Sequence, residues 1–194
     1  MKFSLFLQAV NGFAFDALRF LTAADATHSS FISPLSISQA LCMALNGCPA
    51  GSVTSIEMRH TLGLASLDVA SVNAAHAALN AQVMELPGVE LAIANSLWAR
   101  PALKAAFQQA VTAAYRAPVL QLTTPEPINA WCAEHTRGKI TKIIDEIDPL
   151  VRLIIVNAVY FKGACASADP LMNSTDTALS FCVAHLLGTS CNFE

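Results

Sequence analysis

Between Leu153 and Phe161 the chain reads Leu-Ile-Ile-Val-Asn-Ala-Val-Tyr-Phe, apolar on both alternating faces, with one amide, Asn157, at its centre. Such a run suits a strand in the middle of a sheet that is covered on both sides. It is far shorter than the roughly 20 apolar residues a membrane-spanning helix needs, and no other run in the chain approaches that length. An Asn placed there has to find hydrogen-bond partners, since a buried amide left unpaired costs about 1–3 kcal/mol.

The sequence before this run supplies cover, mostly as helices. Phe6, Val10, Phe13 and Ala17 form the stripe of an amphipathic opening helix. Asp16 and Arg19 interrupt its apolar continuation, and no clear small-residue cleavage site follows, so it is read as a helix and not as a signal peptide. Ser33-Pro34 opens a helix over 34–47 with Pro in its first turn, Ile37, Leu41, Ala44 and Leu45 on one face, and Gly47 as its end. Ser33 and Ser36 stand where they can cap it. Thr54 to Leu62 reads as a further helix stopped by Gly63, and 69–86 as another, with Val72, Leu79 and Val83 inward, before a Pro87-Gly88 turn. From Val89 to Trp98 the period changes to two, which predicts a strand. Pro101 opens a helix with the stripe Leu103, Phe107, Val111 and Ala114, and Val119 to Leu122 can make a short strand. Thr124-Pro125 looks like an N-cap and a first-turn proline for a helix that turns Ile128, Trp131 and Cys132 inward and ends near Gly138. After 161 comes a polar loop, Asp169 to Asp176, and then 178–187, which reads as a helix stopped by Gly188.

Chemistry-bearing motifs are sparse. Apolar residues make up 54% and charged residues 13%, so the chain forms a core, and a net charge of −3 gives no general footprint for nucleic acid or an anionic membrane. The six cysteines, at 42, 48, 132, 165, 182 and 191, include no CxxC pair and read as free, mostly buried thiols. The five histidines are scattered, without an HExxH pair, and His60 and His135 read as boundary or surface groups. Ile32-Ser33-Pro34-Leu35-Ser36 is not a GxSxG nucleophile elbow. Asp145, Glu146 and Asp148 lack an EF-hand glycine and read as a solvated turn, with Lys139 and Lys142 as weak signs of a polyanion site. No catalytic residue, metal ligand or cofactor is expected, and an enzyme is the least favoured class. Asn173-Ser174-Thr175 is a glycosylation sequon that matters only in a secreted chain.

The order of these segments resembles the first half of the serpin family. The resemblance rests on Asn11, Phe13, Phe15 and Leu18; on Phe31-Ile32-Ser33-Pro34-Leu35-Ser36-Ile37-Ser38 with Ala40-Leu41; and on Glu57-Met58 with Leu62-Gly63. It continues through Ala94-Asn95-Ser96-Leu97-Trp98, Ile128-Asn129-Ala130-Trp131 with Thr136-Arg137-Gly138-Lys139-Ile140, and Val156-Asn157-Ala158-Val159-Tyr160-Phe161-Lys162-Gly163. The resemblance implies an α+β fold with helices packed on part of a mixed main sheet, here incomplete. Residues 1–163 would be a partial serpin domain and 164–194 a divergent tail, since Cys165 stands where the family usually has Trp and no family pattern follows. A frameshift, a retained intron or alternative splicing would each produce such a tail, and the missing half is expected downstream of Gly163.

The resemblance also implies a function. Serpins inhibit serine or cysteine proteases as suicide substrates: a cut reactive loop inserts beside the third strand of the main sheet. The reactive loop is absent from this chain, which is therefore expected to be non-inhibitory as it stands. Target proteases are the implied partners of a full-length form, in the cytoplasm or outside the cell. The alternative is a non-inhibitory interaction protein that binds through its helical surface or an open sheet edge, including self-association through 153–161. Ser33, Ser36 and Asn157 match the family's shutter, where small hydroxyls and a strand-borne amide govern sheet opening; the His that completes it in many serpins would come later. By this reading the two serines both cap the helix and serve the shutter.

Overall fold

The computed structural model describes residues 1–24, 32–83 and 89–163, together with the backbone of 177–187. The Pro87-Gly88 turn, residues 84–86, the 169–176 loop, the sequon, Cys165 and Cys191 lie outside the described residues. Helices α1 (Lys2–Ala24), α2 (Pro34–Leu45), α3 (Val53–Thr61) and α4 (Val69–Val83) precede strand β1 (Val89–Ala99). Helix α5 (Ala105–Tyr115), strand β2 (Val119–Gln121), helix α6 (Pro125–His135), and strands β3 (Leu153–Gly163) and β4 (Thr177–Leu187) follow. The strands form one mixed sheet in the order β2-β1-β3-β4, with β1 and β2 parallel and the other pairs antiparallel.

The apolar run at 153–161 lies at the centre of this sheet. Leu153 through Tyr160 are all buried, and the period of two divides them between two cores. Leu97, Ala99, Leu153 and Ile155 face a core built by α1, α2, α4 and α5, which includes Phe6, Met43, Val72 and Val111. Trp98, Ile154 and Val156 face the other way, onto Ile128 and Cys132 of α6 and Ile144 and Val151 of the following loop. Trp131, expected inward, is only half-buried and stacks on His135 at 4.1 Å. Gly63, at φ +68°, lets the turn after α3 lie against α1, where a Cβ would meet the Ala9 backbone at 3.4 Å.

Four expectations are corrected. Residues 177–187 are a strand, not a helix, and pair with β3 along its whole length, from Leu153↔Leu187 to Gly163↔Thr177. Short apolar runs are ambiguous between the two states. Here Leu179, Phe181 and Val183 alternate with smaller residues, and the edge of β3 offers a full row of N–H and C=O groups. The edge of β3 expected to be open is therefore occupied. The helix expected from Pro101 begins at Ala105, since Lys104 at ψ 137° is still non-helical and stands at its N-cap. Ser33 and Thr124 stand at N-cap positions as expected, but neither side chain caps a backbone amide. The Thr124 hydroxyl bonds the Glu126 carboxyl instead, which holds that acid below its usual range.

Among the described residues, the buried ring of His76 has no hydrogen-bond partner at either nitrogen. His76 lies on α4, fully buried against Phe6 and Tyr115, with ring centroids 4.7 and 5.1 Å away. Burial pushes its pKa down from 6.5 to about 3. Between those values the unfolded chain binds a proton that the folded chain does not, so this contribution to stability is complete above the unfolded value and is lost as pH falls towards the folded one. The slope from this residue reaches at most about 1.4 kcal/mol per pH unit. Urea titrations at pH 4 to 7 should show the wild type losing stability faster than His76→Phe as pH falls; parallel profiles would contradict the assignment.

Candidate functional site

Where the sheet meets the helical layer, the apolar core gives way to a chain of amides. Asn95 of β1 and Asn157 of β3 are directly opposite in register, and so share a face, the one turned towards α2. Asn157 Nδ2 donates to Asn95 Oδ1 at 2.6 Å. Asn95 Nδ2 donates to Gln39 Oε1 of α2 at 3.0 Å and to the Tyr115 carbonyl at the end of α5 at 3.1 Å. Gln39 Nε2 in turn donates to Asn80 Oδ1 of α4 at 2.6 Å. All four amide side chains are buried. Two strands and three helices thus meet in one hydrogen-bonded network, in surroundings where an unmade bond is costly.

Tyr115 links this network to a second. Its hydroxyl donates to Asn73 Oδ1 at 2.8 Å; Asn73 and Asn46 exchange amide bonds, and Asn46 also donates to the Cys42 carbonyl at 2.8 Å. Burial pushes the Cys42 thiol up to about 12 and the Tyr115 hydroxyl well above its ordinary value. A thiol so held is not a nucleophile. Cys42 is a free, buried cysteine.

The residues singled out from the sequence divide into two sets. Ser33 and Ser36 bond each other, Oγ to Oγ at 2.8 Å, with Ser36 fully buried in the first turn of α2. Asn157 belongs to the amide network. Among the described residues no hydrogen bond joins the serine pair to Asn157, although α2 packs on β3. Asn157 Oδ1 is buried with no partner among the described residues. Sequence reasoning missed Gln39 and Asn80, and took Asn95 only as part of a strand motif; an amide inside a strand was the available signal.

The opposite face of the sheet is clasped at its surface. Beyond α6, Arg137 at φ 52° and Gly138 at φ +74° turn the chain, and the Arg137 guanidinium lies 4.5 Å from the Tyr160 ring while pairing with Glu90. Asn129 of α6 holds the following loop, accepting from the Ile143 and Ile144 amides and donating to the Ile144 carbonyl. Asp145, Glu146 and Asp148 are exposed, Asp145 paired with Lys142. Among the described residues no helix is long and apolar enough to cross a membrane.

The network predicts an order of mutational costs. Asn95→Ala strands the Gln39 oxygen, the Tyr115 carbonyl and the Asn157 amide at once, at about 1–3 kcal/mol per buried unpaired group, moderated by relaxation. Asn157→Ala strands only Asn95 Oδ1 and also removes an acceptor already unpaired. Urea titrations should find Asn95→Ala the more damaging by about 1–3 kcal/mol; equal costs would contradict the wiring.

Comparison with known proteins agrees with this architecture. The family model Serpin (serine protease inhibitor) matches residues 8–184, running past Gly163, where the family pattern was expected to stop. An uncharacterized serpin-like protein of Thermococcus kodakarensis is 32% identical over 83% of this chain and 39% of its own length. The bovine leukocyte elastase inhibitor is 34% identical over 78% of this chain and 42% of its own. Reactive loop cleaved human thyroxine-binding globulin superposes with a TM-score of 0.72 at 27% identity, over 82% of this chain and 50% of that one. The chain thus spans less than half the length of these two curated relatives. With a family model matched over most of its residues and the fold to go with it, the chain belongs to the serpin family.

Proposed function

We propose that this chain supplies the scaffold of a protease inhibitor that works as a suicide substrate, and that its 194 residues alone do not trap a protease. Family membership and the name of the bovine relative, an elastase inhibitor, support the first part. The observation that carries the second is the pairing of β4 along all of β3. In the serpin mechanism the cut loop adds to the sheet beside the third strand. Here the chain's own residues 177–187 take that edge, so an inserting strand has no free backbone row on β3 to pair with. In this reading Ser33, Ser36 and Asn157 have the shutter role, and the unpaired Asn157 oxygen is the acceptor for a donor that a longer chain would supply. The role is structural: these groups govern how readily the sheet parts, and none performs chemistry.

A second reading has its own support. Phe15 and Phe20 on α1 are 62% and 75% exposed, and Val53 and Ile56 on α3 are also uncovered, which favours an interaction surface on the helical side. Self-association through residues 153–161 fits this reading only if β4 leaves β3.

Incubation with elastase-like, subtilisin-like and papain-like proteases, followed by denaturing electrophoresis, distinguishes the readings. The proposal expects cleavage without a denaturant-stable adduct; a band at the summed mass would refute it. Light scattering of the same samples should find no association dependent on 153–161 while β4 remains paired.

A further inference from the structure

At the end of the sheet away from Gly163, two arginines converge on one cleft. The β1–β3 register ends at Ala99↔Leu153, and the next residues, Arg100 and Arg152, are still joined by the 3.0 Å bond between the Arg100 amide and the Arg152 carbonyl. Directly opposed residues of antiparallel strands project to the same side, with Cβ atoms about 5 Å apart, and like charges so placed repel. Both side chains line a cleft of about 360 Å³, walled by Pro101, Pro149 and Leu150. That is the small end of the range for ligand sites.

The two guanidinium groups are held differently. Arg100 is fixed by the loop, donating to the Pro149 carbonyl at 2.9 Å and more weakly to the Asp148 carbonyl at 3.4 Å. Arg152 is exposed and pairs with no acid among the described residues. The acid nearest in sequence, Asp148, is turned to the loop, where its Oδ1 accepts from the Leu150 amide at 2.7 Å. Leu150 is 66% exposed. The cleft therefore offers one anchored cation, one free cation and an uncovered apolar wall.

We propose that this cleft binds an acidic peptide segment of a partner protein, with a carboxylate received by the arginine pair and an adjoining apolar side chain laid on Pro101, Pro149 and Leu150. Arginine forks suit carboxylates through paired N–H donors. Two cations within apolar walls favour a short acidic peptide over a sulfated polysaccharide, which needs a longer basic track than a chain of net charge −3 offers here.

Fluorescence anisotropy of the intact chain with a labelled Gly-Leu-Glu-Glu-Leu-Gly peptide tests this, with the Gln-Gln peptide as control. The acidic peptide should bind, weaken as salt rises, and lose about tenfold or more in affinity with Arg152→Ala, while Arg152→Lys retains part of it. Arg152→Ala removes no bond seen within the fold, so an unchanged thermal melt should accompany the loss; Arg100→Ala is less clean because it frees the loop. The assignment is overturned if the acidic peptide does not bind, if the Gln-Gln peptide binds equally, or if Arg152→Ala leaves binding unchanged. It is overturned equally if a sulfated tetrasaccharide binds in an Arg152-dependent manner and the peptide does not.

Discussion

The structure depends on one side-chain contact, the 2.6 Å bond between Asn157 and Asn95 across the middle of the sheet. Residues 153–160 are buried on both faces, so an amide at 157 has no route to solvent. Its Nδ2 is satisfied by the Asn95 oxygen, and the Asn95 Nδ2 in turn by Gln39 on α2 and by the carbonyl that closes α5. Apolar packing holds the two layers together without direction. The amides add direction: they set how α2, α4 and α5 lie on β1 and β3, because a shift in any one leaves a buried polar group unpaired.

In the proposed function, this arrangement gives a physical sense to the term shutter. A serpin sheet has to part during inhibition, and a purely apolar contact between helix and sheet would slide with little to resist it. A short chain of buried hydrogen bonds breaks at discrete cost. Among the described residues the Asn157 oxygen, within this chain of amides, has no partner, so the network is one donor short of complete. The serine pair of α2 stands apart from it among the described residues, bound to itself. In the proposed function, the amides couple the strands to the helices and the serines shape the first turn of the helix that carries Gln39.

How much was legible in the sequence follows from the range of each interaction. The strand at 153–161 announced itself, since a run apolar on both faces has few other fates. Helix α2 was signalled by Pro34 and an apolar period, both local. The tail was misjudged because its short apolar run is compatible with either state, and the deciding factor is a strand edge that comes from elsewhere in the chain. The amide network was mostly invisible for the same reason: Asn95 meets Gln39 across a separation of 56 residues and Asn157 across 62. Asn157 stood out because its neighbours are apolar; Gln39, on a helix with other polar residues, gave no such contrast. Arg100 and Arg152 likewise become a pair only once the register of β1 against β3 is known.

The claim that these amides act as a unit is most directly tested by a double-mutant cycle on Gln39 and Asn157. They bond to Asn95 from different sides, and no bond between them is observed. Urea titrations of Gln39→Ala, Asn157→Ala and the double variant give the coupling energy. If Asn95 transmits between them, the two costs should depart from additivity by more than about 0.5 kcal/mol. Costs that add within that margin would mean the helices and the sheet are fastened independently, and the network account would fail.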